Sequence, residues 1–159
     1  MLCLTMKDGQ FWIELKKKVA FMDNVILNKS AIIERCIQRI HEVHQGNRAN
    51  LDDLTKQDSI ILNIQRACEA AIDIAMHLVS VKRLGLPQSS REAFELLEQQ
   101  GLISETLLSR LKGMVGFRNI AVHNYQVLKL DIIEMIIEHR LKELITFKKI
   151  VLKTALSEP

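Results

Sequence analysis

An all-α fold, a four-helix up-and-down bundle with one additional short helix, is the architecture this sequence predicts. Three observations carry it. Apolar residues recur at three- and four-residue spacing through most of the chain, the period of a helix with one buried stripe. Only two prolines and six glycines occur in 159 residues, which leaves few places to turn and favours long helices on short loops. Nearly half the residues are apolar but only 4% are aromatic, so aliphatic side chains must fill the core, and a chain of this length suits a single one.

Residues 1–21 stand apart, with the sole tryptophan, a glycine in "KDGQ", a lysine triplet and no sustained helical period. They read as an N-terminal extension, non-native or disordered. The lysine codons would supply a ribosome-binding sequence ahead of Met22, which is the expected native start of a helical domain over 22–159.

Helix one is expected from Asp23 to His44, with Val25, Ile32, Ile33, Cys36, Ile37, Ile40 and Val43 forming its stripe, and Gly46 and Asn47 stopping it. Helix two runs from Asp52 to Leu84 and ends at Gly85 and Pro87. In "SSREAFELLEQQG", Ser89 and Glu92 have capping-box spacing and Gly101 supplies the stop for a short third helix. Ser104 caps a fourth helix carrying Leu107, Leu111, Met114 and Val115. A final helix is expected without interruption from Asp131 to Thr154.

Three cysteines without C-x-x-C spacing argue against a disulfide framework and a thiolate metal site, and fit a reduced, cytoplasmic protein. No apolar run reaches the roughly 18 residues a membrane span needs, and the N-terminus lacks the form of a signal peptide. The net charge is +3, of which +2 falls in residues 1–21, so the body is too nearly neutral to attract nucleic acid as a whole. Any RNA contact must be local. Phosphate-binding glycine loops, H-E-x-x-H and G-x-S-x-G are all absent, and no cofactor is implied.

Several polar groups have ordinary readings. His41 and His44 suit a solvated helix end better than a metal, since no third ligand is near in sequence. Asp73 and His77 have the spacing of a helix-stabilising pair, with Asp73 reaching a functional cleft as the sharper alternative. His139 looks like surface, and Lys148, Lys149 and Lys153 form either a solvated face or a contact for an RNA backbone.

The stretch "GFRNIAVHNY" is different, because it sets Arg118, His123 and the only tyrosine, Tyr125, within eight residues. Arg118 and Tyr125 share a helical face, whereas Arg118 and His123 would diverge unless the helix bends near His123 and Asn124. The trio suits phosphodiester cleavage without a metal. A histidine, with an ordinary pKa of about 6.5, can move the protons of a ribose 2′-hydroxyl or a leaving 5′-oxygen. Arginine offers a planar fork to the phosphate oxygens. Tyr125 can hydrogen-bond a phosphate or stack on a base, and Asn119 can orient His123. On spacing alone the same residues also suit helix-end capping.

The run "RNIAVHNY" resembles the R-x-x-x-x-H-x-Y motif of HepT-like toxins, within the HEPN superfamily of helical ribonucleases. The segments "IQRACEAAIDIAMHLV", "LGLPQSSREAFELLEQQGLIS" and "LLSRLKGMVGFRNIAVHNY" resemble successive family segments, so the likeness covers about residues 24–150. It implies a HEPN-like helical bundle that dimerises so that two motifs line one cleft. The implied activity is that of a metal-independent endoribonuclease, the toxin of a type VII toxin–antitoxin pair. The implied partners are RNA and a minimal nucleotidyltransferase antitoxin of the MntA type, which neutralises the toxin by adding AMP to the motif tyrosine. Carried onto this chain, Arg118 and His123 are catalytic, Asn119 is the polar residue that follows the arginine, and Tyr125 is both part of the cleft and the site of AMP addition. Asp73, from its own position on helix two, is expected as a further supporting residue. The expectation from another class is a catalytically silent helical module that binds a nucleotidyltransferase or a nucleotide.

Overall fold

The chain folds entirely into helices and short turns over residues 6–157, the part that the computed structural model describes. Helix α1 spans Met6–His44, α2 Leu54–Val81, α3 Ser90–Gln99, α4 Glu105–His123, α5 Leu130–His139 and α6 Leu141–Ser157. Short 3-10 segments at Arg48–Asp52 and Tyr125–Val127 lead into α2 and α5. Among the described residues there is no strand, and no helix is long and apolar enough to cross a membrane.

Helix α2 is the central element, packing on α1, α3, α4 and α6, while α1 and α4 each also meet α6. The four long helices therefore surround one core, with α3 laid across α2 and α4. The expected α2 stripe is buried from Ile60 to Val79, and at the centre Phe94 meets Phe147 edge-on with ring centroids 5.5 Å apart. Such an aromatic pair adds about 0.5–1.5 kcal/mol beyond its area. In α1 the stripe is shifted slightly: Ile26 and Ile33 are fully buried, whereas Val25 and Ile32 are only half-buried.

Local signals set most boundaries. Ser89 Oγ accepts from the Glu92 amide at 3.2 Å and the Glu92 carboxylate accepts from the Gln88 amide at 2.6 Å, which is the reciprocal logic of a capping box moved one residue outward. Gly101, at φ +74°, ends α3 in the left-handed region, where a Cβ would be strained.

Two expectations about helix length fail. Helix α1 does not start at Asp23 but is already formed at Met6, because Glu, Leu and Lys propagate a helix backwards without an apolar stripe. Trp12 and Ile13 remain more than half exposed there. The expected extension also included residues 1–5, and with them Cys3, which lie outside the described residues. The final helix is not continuous: Arg140, still in the right-handed region at φ −114° and ψ −25°, forms a one-residue turn that separates α5 from α6. Apolar spacing runs across that break unchanged, so periodicity cannot reveal it.

Candidate functional site

Helix α4 delivers the motif. Ser104 Oγ accepts from the Leu107 amide at 3.1 Å to open it, and Leu107, Leu111, Met114, Val115, Phe117 and Ala121 bury its inner face. The helix persists through His123. It closes at Asn124, whose amide donates to the Ile120 carbonyl at 2.8 Å while its own φ of −150° and ψ of 55° turn the chain away. Tyr125 follows in the 3-10 turn, where the Leu128 amide returns to the Tyr125 carbonyl at 3.1 Å.

Arg118 is half-buried and faces α3. Its Nη2 donates to Ser90 Oγ at 3.2 Å, and its Nε is buried without a protein acceptor. Its positive charge opposes the burial that pushes the Cys68 thiol up to about 12, which places the guanidinium near the middle of α2. A second arginine lies close by, since a methyl group on Gly116 would stand 3.1 Å from Arg91 Nη2. The bare face of Gly116 makes room for that guanidinium.

Asn119, His123 and Asn124 are exposed. Five residues on one helix set Arg118 and His123 about 140° apart around the axis. A single chain therefore presents them on different sides of α4. Tyr125 is 39% exposed, its hydroxyl donating to the carboxylate of Asp58 in the second turn of α2. Burial and the hydrogen bond and charge of Asp58 push its phenol up to about 12.

Beside the motif, Met114, Phe117, Ile120, Val127, Ile132 and Met135 line a largely apolar groove of about 590 Å³ between α4 and α5, edged by Arg110, Lys129 and Arg140. Ile120, Val127 and Ile132 each expose 40% or more of their surface.

Other expectations need correction. Asp73 does not reach the motif and is not bonded to His77. Its carboxylate takes Lys29 of α1 at 2.7 Å, in a polar groove formed by α1 and α2 that also holds Arg35, Arg66 and Glu69. Asp73 therefore lies around α2 from the Cys68, Ala71 and Ile72 side that meets α4. His77 keeps its Nε2 buried without a partner, and desolvation lowers its pKa. His44 is not solvated: it is 3% exposed, with Nε2 2.9 Å from Glu134 of α5. Nor is Lys148 on a solvated face, for its side chain is only 16% exposed and lies 3.6 Å from Glu34. Among the described residues no group of three or more His, Cys, Asp or Glu is arranged to hold a metal ion.

Sequence reasoning missed Asp58, Ser90 and Arg91. Asp58 resembles any acid near a helix start, and its partner lies 67 residues away. Ser90 left a usable clue, being a second serine beside a cap that needs only one.

Comparison with known proteins identifies the fold and its lineage. The family model described as ribonuclease HepT-like matches residues 33–151. The mRNA nuclease HepT of Shewanella oneidensis is 52% identical over 122 residues, which cover 77% of this chain and 92% of that protein. A structure of the tri-AMPylated Shewanella oneidensis HEPN toxin in complex with MNT antitoxin is 50% identical, covers 80% of this chain and 96% of its own, and superposes with a TM-score of 0.76. A mutant MntA toxin–antitoxin complex is similar at 48% identity and a TM-score of 0.75, covering 80% of this chain and 97% of its own. With the motif on α4 and a match along most of its length, this chain belongs to the HepT-like ribonuclease family.

Proposed function

We propose that this protein is the toxin of a type VII toxin–antitoxin pair, a metal-independent endoribonuclease that acts on RNA in the cytoplasm. The observation that carries the reading is Arg118: a half-buried guanidinium fixed by Ser90 and left with an unmatched Nε, on the helix that ends in His123. An arginine so held is organised in advance for an anion.

In the reaction, His123 takes the proton of a ribose 2′-hydroxyl as the 2′-oxygen attacks phosphorus, and the 5′-oxygen leaves with a proton. Arg118 stabilises the charge that builds on the phosphoryl oxygens. The products are a 2′,3′-cyclic phosphate and a 5′-hydroxyl. Asn119, exposed on the next position of α4, orients the substrate or His123. Because Arg118 and His123 diverge on one helix, the working cleft takes residues from two copies of the chain, and the apolar groove beside the motif is the surface that a second copy covers.

Neutralisation follows from Tyr125. A partner nucleotidyltransferase transfers AMP to its exposed phenol, which puts bulk and negative charge where an RNA phosphate must lie. The AMP-modified relative in complex with its antitoxin supports this assignment.

The test is the integrity of RNA incubated with the purified protein in the presence of a chelator, beside a folded His123→Ala control. Cleavage by the wild type alone is expected. Intact messenger and transfer RNA with unmodified wild-type protein would instead make it a binding module without catalysis.

A further inference from the structure

We propose that Asp58 is the proton acceptor for AMP transfer to Tyr125, so that the chain being silenced supplies the base for its own modification. The inference rests on the reading of Tyr125 as the acceptor and goes one residue beyond it.

The geometry comes first. Asp53, one turn earlier on α2, spends its carboxylate on the Lys56 amide at 3.0 Å as the helix cap. Asp58 is not used that way: its carboxylate receives the hydrogen of the Tyr125 hydroxyl. Several other surface carboxylates are matched to cations, Asp73 to Lys29, Glu95 to Lys112 and Asp131 to Arg48. Among the ion pairs of the described residues none includes Asp58, which leaves its carboxylate to the Tyr125 hydroxyl. Both groups are exposed, and a nucleotide bound to a partner enzyme can approach the phenol oxygen while Asp58 holds the hydrogen on the far side.

The chemistry requires such a group. A phenol held up near pH 12 is neutral under cellular conditions, and a neutral phenol is a poor nucleophile until its proton departs. In the step, Tyr125 Oη attacks the α-phosphorus of a nucleoside triphosphate held by the nucleotidyltransferase. The Oη–phosphorus bond forms, the bond from that phosphorus to the bridging oxygen breaks, and pyrophosphate leaves. The phenolic proton passes to Asp58 and then to water. No oxidant or further reactant is needed.

The experiment follows AMP addition by intact mass, using the full chain, ATP and the cognate nucleotidyltransferase. Wild type, Tyr125→Phe, Asp58→Asn and Asp58→Glu are compared at saturating ATP with both limiting and saturating partner, each shown to be helical by circular dichroism. Asparagine keeps an oxygen to accept the phenol hydrogen but cannot take the proton, so Asp58→Asn separates basicity from positioning. Expected are no AMP on Tyr125→Phe, addition slowed by about a hundredfold in Asp58→Asn with unchanged partner affinity, and partial recovery in Asp58→Glu. Wild-type rates in Asp58→Asn with Tyr125→Phe still blocked would overturn the role of Asp58 alone. A slowing that vanishes when the partner is saturating would also overturn it, by reducing Asp58 to a docking contact. Modification of Tyr125→Phe at the wild-type rate would remove the underlying reading of the acceptor, and the proposal with it.

Discussion

The hydroxyl of Tyr125 donates to the carboxylate of Asp58, tying the turn after α4 to the second turn of α2. Both the burial of the ring and the adjacent negative charge favour the protonated phenol, moving it from 10.0 to about 12. The folded state thus holds this proton more tightly than the unfolded chain. Its contribution to stability is complete below pH 10 and is lost as the pH rises through about 12. With one tyrosine in the chain, the phenolate absorbance reports this group alone. A midpoint near 12 is expected, falling only part of the way toward 10 in Asp58→Asn because burial remains, and equal midpoints in the two proteins would show that the hydrogen bond does not persist in solution.

Arg118→Lys is expected to reduce RNA cleavage by about 10²–10³-fold, the usual loss when one organised donor to a transition-state oxyanion is removed. Lysine keeps the charge but not the fork. Ser90→Ala, which only frees the guanidinium to wander, should cost about tenfold or less by the same scale. Turnover on a defined RNA under single-turnover conditions is the measurement, with circular dichroism confirming the fold. Near-normal turnover in Arg118→Lys would leave Arg118 a structural tie between α3 and α4.

Ile120→Glu places a charge in the apolar groove between α4 and α5, on a side chain already 44% exposed. Its effect on the stability of one chain should be within about 0.5 kcal/mol, as for most surface substitutions. Sedimentation should nevertheless show a dimer converted to monomer, with cleavage lost in parallel. A variant that stays dimeric and active would move the shared cleft to another face.

Glu134→Ala removes the partner of His44 from a site where the two side chains are 14% and 4% exposed. Leaving the imidazole without its carboxylate should cost about 1–3 kcal/mol. Urea unfolding near neutral pH, with the midpoint lowered at unchanged slope, is the expected outcome. An unchanged midpoint would mean that water replaces the carboxylate without loss.

Much of this was legible in the sequence, for reasons that differ by residue. The α2 stripe and the serine caps at Ser89 and Ser104 are local signals with a fixed physical meaning, and the structure keeps them. The motif was legible through its resemblance to a family, while its geometry was not, because Ser90 and Asp58 reach Arg118 and Tyr125 only after distant helices pack. His44 and Lys148 were misjudged for the same reason: each is polar in sequence but closed over by another element, α5 or α1. The break at Arg140 has neither proline nor glycine to mark it.

That break gives the molecule two tiers of rigidity. The ladder of hydrogen bonds does not run unbroken from α5 into α6, so the segment from Asn124 to His139 can open while α6 stays docked on α1. Long-range polar ties on that segment run from Tyr125 to Asp58, from Asp131 to Arg48 and from Glu134 to His44. Its amides should exchange with solvent through sub-global opening, whereas those of α2 wait for global unfolding. The tyrosine proposed to accept AMP is thus carried by a segment that is not braced as one continuous helix with α6.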